Sequence, residues 1–193
     1  RAQDVKSIFG KILKINIKNG SSNVITYGHR NPQGLFFDKR KKTIFFTEHG
    51  PQGGDEFNIF KINSENNNYG WPIASYGEHY GERNSNQNIE LYSKFPLLKS
   101  HKNNGFVEPI YFFDPSIGIS EIICLQNKKN ECLISSLKNK SIYLIALNNE
   151  NEFKSINSIY IGERIRDMML LNKKIYIFME NTASIGVIDL DLL

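Results

Sequence analysis

Four strand-like phrases recur along this chain at a fixed interval. Gly10-Lys11-Ile12-Leu13-Lys14-Ile15 is followed about 45 residues later by Glu56-Phe57-Asn58-Ile59-Phe60-Lys61-Ile62. Lys140-Ser141-Ile142-Tyr143-Leu144-Ile145 is followed at about the same interval by Ser184-Ile185-Gly186-Val187-Ile188-Asp189-Leu190. Such a period is that of a β-propeller blade, a small antiparallel sheet that buries its faces only by stacking on its neighbours.

A candidate hairpin precedes each of the last three phrases. Gly34-Leu35-Phe36-Phe37 turns through Asp38-Lys39-Arg40-Lys41-Lys42 into Thr43-Ile44-Phe45-Phe46-Thr47. Ile122-Ile123-Cys124-Leu125 turns into Glu131-Cys132-Leu133-Ile134-Ser135, and Met168-Met169-Leu170-Leu171 turns at Asn172-Lys173 into Lys174-Ile175-Tyr176-Ile177-Phe178. Short β-rich runs between polar turns predict antiparallel sheets, and helical patterns have little claim on the chain. Residues 63–108 are rich in Asn, Gly and Ser with weak strand periodicity, and read as a long insertion. Three blades are expected, near residues 22–62, 108–147 and 156–190, after one leftover strand at 8–17. Propellers need at least four blades to cover their end faces. The expectation is a fragment of a longer chain, or else a three-blade unit that closes by oligomerising.

With 193 residues and 40% hydrophobic content, the chain can bury a core. The formal charge of +4 gathers at Lys39, Arg40, Lys41 and Lys42 and at Lys128 and Lys129, between apolar runs. These clusters read as solvated hairpin turns, and no zinc-finger spacing or aromatic-basic motif supports a nucleic-acid partner. No apolar run is long enough for a helical bilayer span. Cys124 and Cys132 can face one another across a hairpin or stay as free buried thiols, and two cysteines do not fix the compartment.

Arg30 and Asn31, held before Pro32, offer a cationic fork and an amide that suit a carboxylate or quinone oxygen. An arginine capping a neighbouring turn accounts for the same residues. Gly50-Pro51 is a plain turn on residue type alone, although successive carbonyls can ligate a hard cation. Asp55 and Glu56 suggest side-chain metal ligation, with local turn hydrogen bonds the simpler expectation. Arg164 and Arg166 fall on one side of an extended segment, and with Lys138 they suit a small polyanion or simply face solvent.

The phrases Gly28-His29-Arg30-Asn31-Pro32-Gln33-Gly34, Glu48-His49-Gly50-Pro51 with Gly53-Gly54-Asp55-Glu56, Asn68-Tyr69-Gly70-Trp71-Pro72, Pro115-Ser116-Ile117, Ser136-Leu137-Lys138 and Arg164-Ile165-Arg166-Asp167 occur in an order that resembles the glucose/sorbosone dehydrogenase family of quinoproteins. The resemblance runs over nearly the whole chain, as the C-terminal half of such a protein, and implies an all-β, six-bladed propeller of which residues 1–193 form a partial domain. It also implies pyrroloquinoline quinone (PQQ) and Ca²⁺ as cofactors, an aldose substrate oxidised to a lactone, an external electron acceptor, and a periplasmic or secreted location.

By the same resemblance, Arg30 is the residue that stabilises charge on the quinone oxygen. Asn31, Ser116, Lys138, Arg164 and Arg166 match cofactor-binding positions, and His49 matches a position beside the metal. Gly50 and Pro51 match two backbone-carbonyl ligands of Ca²⁺. Ile119 stands where the family usually has Pro, and Glu180 where Asp is common. The catalytic histidine belongs ahead of Ala2-Gln3-Asp4, and His29, His49, His79 and His101 are at the wrong points to replace it. A noncatalytic extracellular binding propeller is the other reading, and these residues alone are expected to be inactive.

Overall fold

The computed structural model describes residues 1–62, 64, 67–125 and 130–190. The expected turn at Lys128 and Lys129 lies outside them. Four antiparallel sheets follow one another along the chain, giving an all-β fold. The first pairs β1 (Lys11–Ile15) with β2 (Ser22–Tyr27). The second holds β3 (Pro32–Asp38), β4 (Thr43–Glu48), β5 (Asp55–Lys61) and β6 (Tyr111–Phe113). The third holds β7 (Ile119–Cys124), β8 (Glu131–Ser136), β9 (Ser141–Leu147) and β10 (Phe153–Tyr160), and the fourth β11 (Ile165–Leu171), β12 (Lys174–Met179) and β13 (Ser184–Asp189).

The three expected hairpins are present as β3–β4, β7–β8 and β11–β12, but the division into sheets is corrected. Residues 22–27 pair with 11–15 rather than with the strands that follow, so the strand at 8–17 is not left over. Tyr111–Phe113 closes the second sheet against β5, and Phe153–Tyr160 closes the third against β9. Local pattern identifies a strand; its partner is decided by which apolar face finds cover.

That cover is visible in the alternation. Phe45 faces a layer with Phe57, Phe113, Ile122, Ile134 and Ile145, between the second and third sheets. Its neighbours Ile44 and Phe46 face the opposite way, towards Ile12, Phe60 and Tyr69. Ile123 and Leu133 leave the first layer for a third, with Ile142, Ile165, Met168, Ile175 and Ile177. The second and third sheets are thus apolar on both faces, and β4 is buried along its whole length.

Turn chemistry sets the registers. Asp38 accepts the backbone N–H groups of Arg40 (2.9 Å) and Lys41 (3.1 Å), which places the basic cluster in the β3–β4 turn. Asn172 and Lys173, both at positive φ, make the two-residue turn between β11 and β12. Cys124 and Cys132 stand opposite each other on β7 and β8 and form a disulfide, which settles the open pairing.

The region between β5 and β6 carries one helix that the sequence pattern did not announce. α1 (Asn86–Lys94) is capped by Ser85, whose side chain accepts the Asn88 N–H. The insertion also returns to the sheets: Asn68 bridges to Tyr27, and Glu78 bridges to Gln52.

Candidate functional site

β3 packs against β7, and β7 against β11, with their starting ends aligned. The Thr47 hydroxyl reaches the Ser120 carbonyl, and the Ser120 hydroxyl donates to the Ile165 carbonyl at 2.7 Å. Because every sheet is antiparallel, the segments entering β3, β7 and β11 share that end with the β4–β5, β8–β9 and β12–β13 connections. Arg30 and Asn31 enter β3, and His49, Gly50 and Pro51 lie between β4 and β5. Ser116 enters β7, Lys138 follows β8, and Arg164 and Arg166 open β11. The residues matched to the cofactor and the metal therefore occupy one end of the sheets.

Arg30 is held at every level. Its backbone N–H donates to Glu48 Oε1 at 2.5 Å, and the other oxygen of Glu48 meets His29 Nδ1 at 2.9 Å. His29 is buried, with its second nitrogen 2.8 Å from the Thr26 hydroxyl and its ring stacked on Tyr69. The guanidinium donates to the His49 carbonyl (3.2 Å) and to the Tyr80 hydroxyl (3.1 Å). It also lies 5.4 Å from the centre of the Trp71 ring. The Asn31 carbonyl accepts the His49 N–H at 3.1 Å, tying the two loops together.

Asp55 joins the next two segments. Its Oδ1 accepts the Gly50 N–H (3.2 Å) and the Ser116 hydroxyl (3.0 Å), with His49 Nδ1 at 3.6 Å. Its Oδ2 accepts the Ile119 N–H at 3.0 Å. Burial alone would raise this carboxyl; the contacts from His49, Ile119 and Ser116 outweigh it and leave its pKa below the ordinary value. The expected local turn bond is there, and two partners far along the chain are added. Ile119 supplies an N–H that proline at that position lacks.

The Gly50–Gly54 turn is tight enough to exclude side chains. A Cβ on Gly50 would lie 2.2 Å from the Gly53 carbonyl oxygen, and one on Gly54, at φ +65°, would lie 2.2 Å from the Gly77 nitrogen. Among the described residues, no hydrogen bond is donated to the Gly50 or Pro51 carbonyl oxygen. Both residues are buried, and their carbonyls are acceptors without a protein donor among the described residues.

Lys138 is exposed and reaches this end through its backbone, which donates to the Ile117 carbonyl at 3.0 Å. Arg164 (3.3 Å) and Arg166 (2.9 Å) share one oxygen of Glu180, as their common side of the strand predicts. No hydrogen bond joins the Arg30 group to the Arg164–Arg166 group among the described residues. On β7, burial raises the Glu121 carboxyl to about 7, helped by the charge of Asp167 on β11.

Residues 1–186 match the sequence model described as Glucose / Sorbosone dehydrogenase. The chain belongs to the glucose/sorbosone dehydrogenase family. Aldose sugar dehydrogenase YliI of Escherichia coli is 27% identical over 186 residues, which is 86% of this chain and 47% of that protein. Quinoprotein glucose dehydrogenase B of Acinetobacter calcoaceticus is 35% identical over 160 residues, 63% of this chain and 33% of that one. The crystal structure of the soluble aldose sugar dehydrogenase of Escherichia coli in the apo-form superposes with a TM-score of 0.74 at 25% identity, covering 96% of this chain and 56% of the other. This glucose/sorbosone dehydrogenase chain thus spans about half, or less, of the length of the relatives it matches.

Sequence reasoning passed over Glu48, Tyr80 and Trp71 as partners of Arg30 in this family member. Glu48 had a signal, since it ends a strand directly before the His49-Gly50-Pro51 phrase. Trp71 had one as well, in the Asn68-Tyr69-Gly70-Trp71-Pro72 phrase, whereas Tyr80 had none, because it reaches Arg30 from a part of the insertion without strand periodicity.

Proposed function

We propose that this chain is part of a quinoprotein dehydrogenase that oxidises an aldose at its anomeric carbon to a lactone and passes the electrons to a separate acceptor. The observation that carries the reading is the gathering of Arg30, the Gly50–Pro51 turn, Ser116, Lys138 and the Arg164–Arg166 pair at one end of the sheets. The printed names of the relatives, an aldose sugar dehydrogenase and a quinoprotein glucose dehydrogenase, supply the substrate class.

The residues fit the two implied groups. PQQ is a planar tricarboxylate, and four cationic side chains with the Asn31 amide form a matching donor set, while the Ser116 hydroxyl, donated to Asp55, stands on the cofactor side as a positioning contact. Ca²⁺ prefers oxygen ligands, and the Gly50 and Pro51 carbonyls are uncommitted acceptors. When bound, PQQ supplies a two-electron acceptor and Ca²⁺ a Lewis acid.

The chain's own part is positioning and charge. Arg30, fixed by Glu48, the His49 carbonyl and Tyr80, presents an oriented positive charge for a developing oxyanion. Lys138, Arg164 and Arg166 would hold the carboxylates of PQQ, and His49 would close the metal side beside Asp55. We assign the general base to none of the four histidines here. His29 is committed to Thr26 and Glu48, and His79 Nε2 lies 2.7 Å from the Phe95 carbonyl. We assign the base to a histidine outside these residues, and closure of the propeller to further blades that complete a six-bladed ring with the partial domain 1–193. Periplasmic or secreted placement agrees with the Cys124–Cys132 disulfide.

The test is aldose-dependent reduction of an artificial electron acceptor by the whole protein, loaded with PQQ and Ca²⁺. Turnover with at least one aldose is expected. A folded, cofactor-loaded sample with no turnover across a broad sugar panel refutes the assignment.

A further inference from the structure

The insertion between β5 and β6 contributes Tyr80, an Arg30 partner that the family phrases do not account for. Tyr80 is 66% exposed, yet its backbone is pinned on both sides. Two residues earlier, Glu78 and Gln52 exchange backbone hydrogen bonds of 2.8 and 3.0 Å. One residue later, the Gly81 N–H donates to the Gln52 side chain at 3.1 Å. The Tyr80 carbonyl itself accepts the Asn88 side-chain amide at 3.1 Å, from the first turn of α1.

A surface tyrosine without another role needs no such fixing. Its hydroxyl accepts from Arg30 Nη2 at 3.1 Å, and its ring centre is 5.8 Å from the Arg30 guanidinium carbon. Trp71 lines the same guanidinium, its backbone N–H bound to the Gly28 carbonyl at 2.9 Å. Gln52, which anchors Tyr80, directly follows the Gly50–Pro51 turn.

We propose that Tyr80 is a positioning residue for Arg30: its hydroxyl fixes the direction of the guanidinium, and the Gln52–Glu78 bridge couples that direction to the Gly50–Pro51 turn. This rests on the reading of Arg30 as the quinone-facing cation. A free Arg30 side chain would spread its charge over many rotamers, and a preset direction removes that ordering cost from binding. Tyr80 touches no reacting atom in this arrangement and acts through Arg30 alone.

The first experiment needs no cofactor: the ¹⁵N order parameter of the Arg30 side chain is measured in the chain and in Tyr80→Phe, which keeps the ring and removes the hydroxyl. A clear drop in the variant, with unchanged thermal melting, is expected. An unchanged order parameter overturns the proposal.

The second experiment is a calorimetric titration of the whole protein with PQQ and Ca²⁺. Tyr80→Phe is expected to weaken binding about threefold to tenfold, as for one exposed hydrogen bond of ordinary strength. In an Arg30→Ala background the same substitution is expected to change nothing further. Equal affinity of the chain and Tyr80→Phe, or an undiminished effect without Arg30, overturns the positioning role. Absence of binding by the unsubstituted whole protein counts against the quinone reading itself, and the cofactor-free measurement still decides the role of Tyr80.

Discussion

Replacing Asp55 by Ala is expected to cost the fold about 2–4 kcal/mol. The carboxylate is 1% exposed and receives the backbone N–H groups of Gly50 and Ile119 together with the Ser116 hydroxyl. Ser116 is only half-buried and can turn to water. The two N–H groups are fixed by the backbone, and each buried donor left without an acceptor costs about 1–3 kcal/mol, offset in part by relief of the carboxylate's own burial. A domain of this size has about 5–15 kcal/mol in total, so the loss is large. Urea denaturation followed by Trp71 emission measures it.

The pH dependence follows from the lowered pKa of Asp55. Its folded value lies below the unfolded one, so its stabilisation is complete above the unfolded value and is lost as pH falls through the folded value. The gap between the unsubstituted chain and Asp55→Asn is therefore expected to be constant from about pH 6 to 8 and to close below about pH 4. A loss under about 1 kcal/mol for Asp55→Ala, or a gap that widens in acid, refutes the account of this carboxylate.

Glu180→Gln is expected to change stability by less than about 1 kcal/mol, because its ion pairs with Arg164 and Arg166 are exposed, and to tighten PQQ binding by releasing both cations; calorimetric titration checks both signs. Replacing Cys124 and Cys132 together by Ala is expected to cost about 2–3 kcal/mol, the loop-closure contribution of a bridge with a sequence separation of 8, read from thermal melting. Glu121 has its pKa raised from 4.5 to about 7, so its contribution to stability is complete below the unfolded value and is lost as pH rises through the folded one. Glu121→Gln is therefore expected to gain on the unsubstituted chain between pH 5 and pH 8, by comparison of melting temperatures.

The hairpins were legible because their information is local. Phe36–Phe37, Ile122–Ile123 and Met168–Met169 alternate between faces, and Asp38 and Asn172 announce the turns. The grouping into sheets was not legible. Ser22–Tyr27 reads equally well as the last strand of one sheet or the first of the next, and only cover for Ile12 and Ile44 in the structure decides between them. Tyr111–Phe113 returns to β5 across the whole insertion, which no periodicity reports. α1 is polar along most of its length, so its apolar spacing is faint and its cap, Ser85, is one serine among many polar residues.

At the candidate site, the phrases identified the loops that meet. They did not identify what braces them. Asp55 reads as a local turn residue, and its bonds to Ser116 and Ile119 depend on β7 packing beside β3. Tyr80 and Trp71 reach Arg30 only once the insertion folds back over the β4–β5 turn.

The central claim is that these loops surround one anionic quinone and its metal. A crystal structure of the whole protein with PQQ and Ca²⁺ tests it most directly. The expected result is Ca²⁺ about 2.3–2.6 Å from the Gly50 and Pro51 carbonyl oxygens, with Arg30, Lys138 and Arg166 on the quinone or its carboxylates. A quinone bound elsewhere, or Arg30, Lys138 and Arg166 directed into separate regions, contradicts the account.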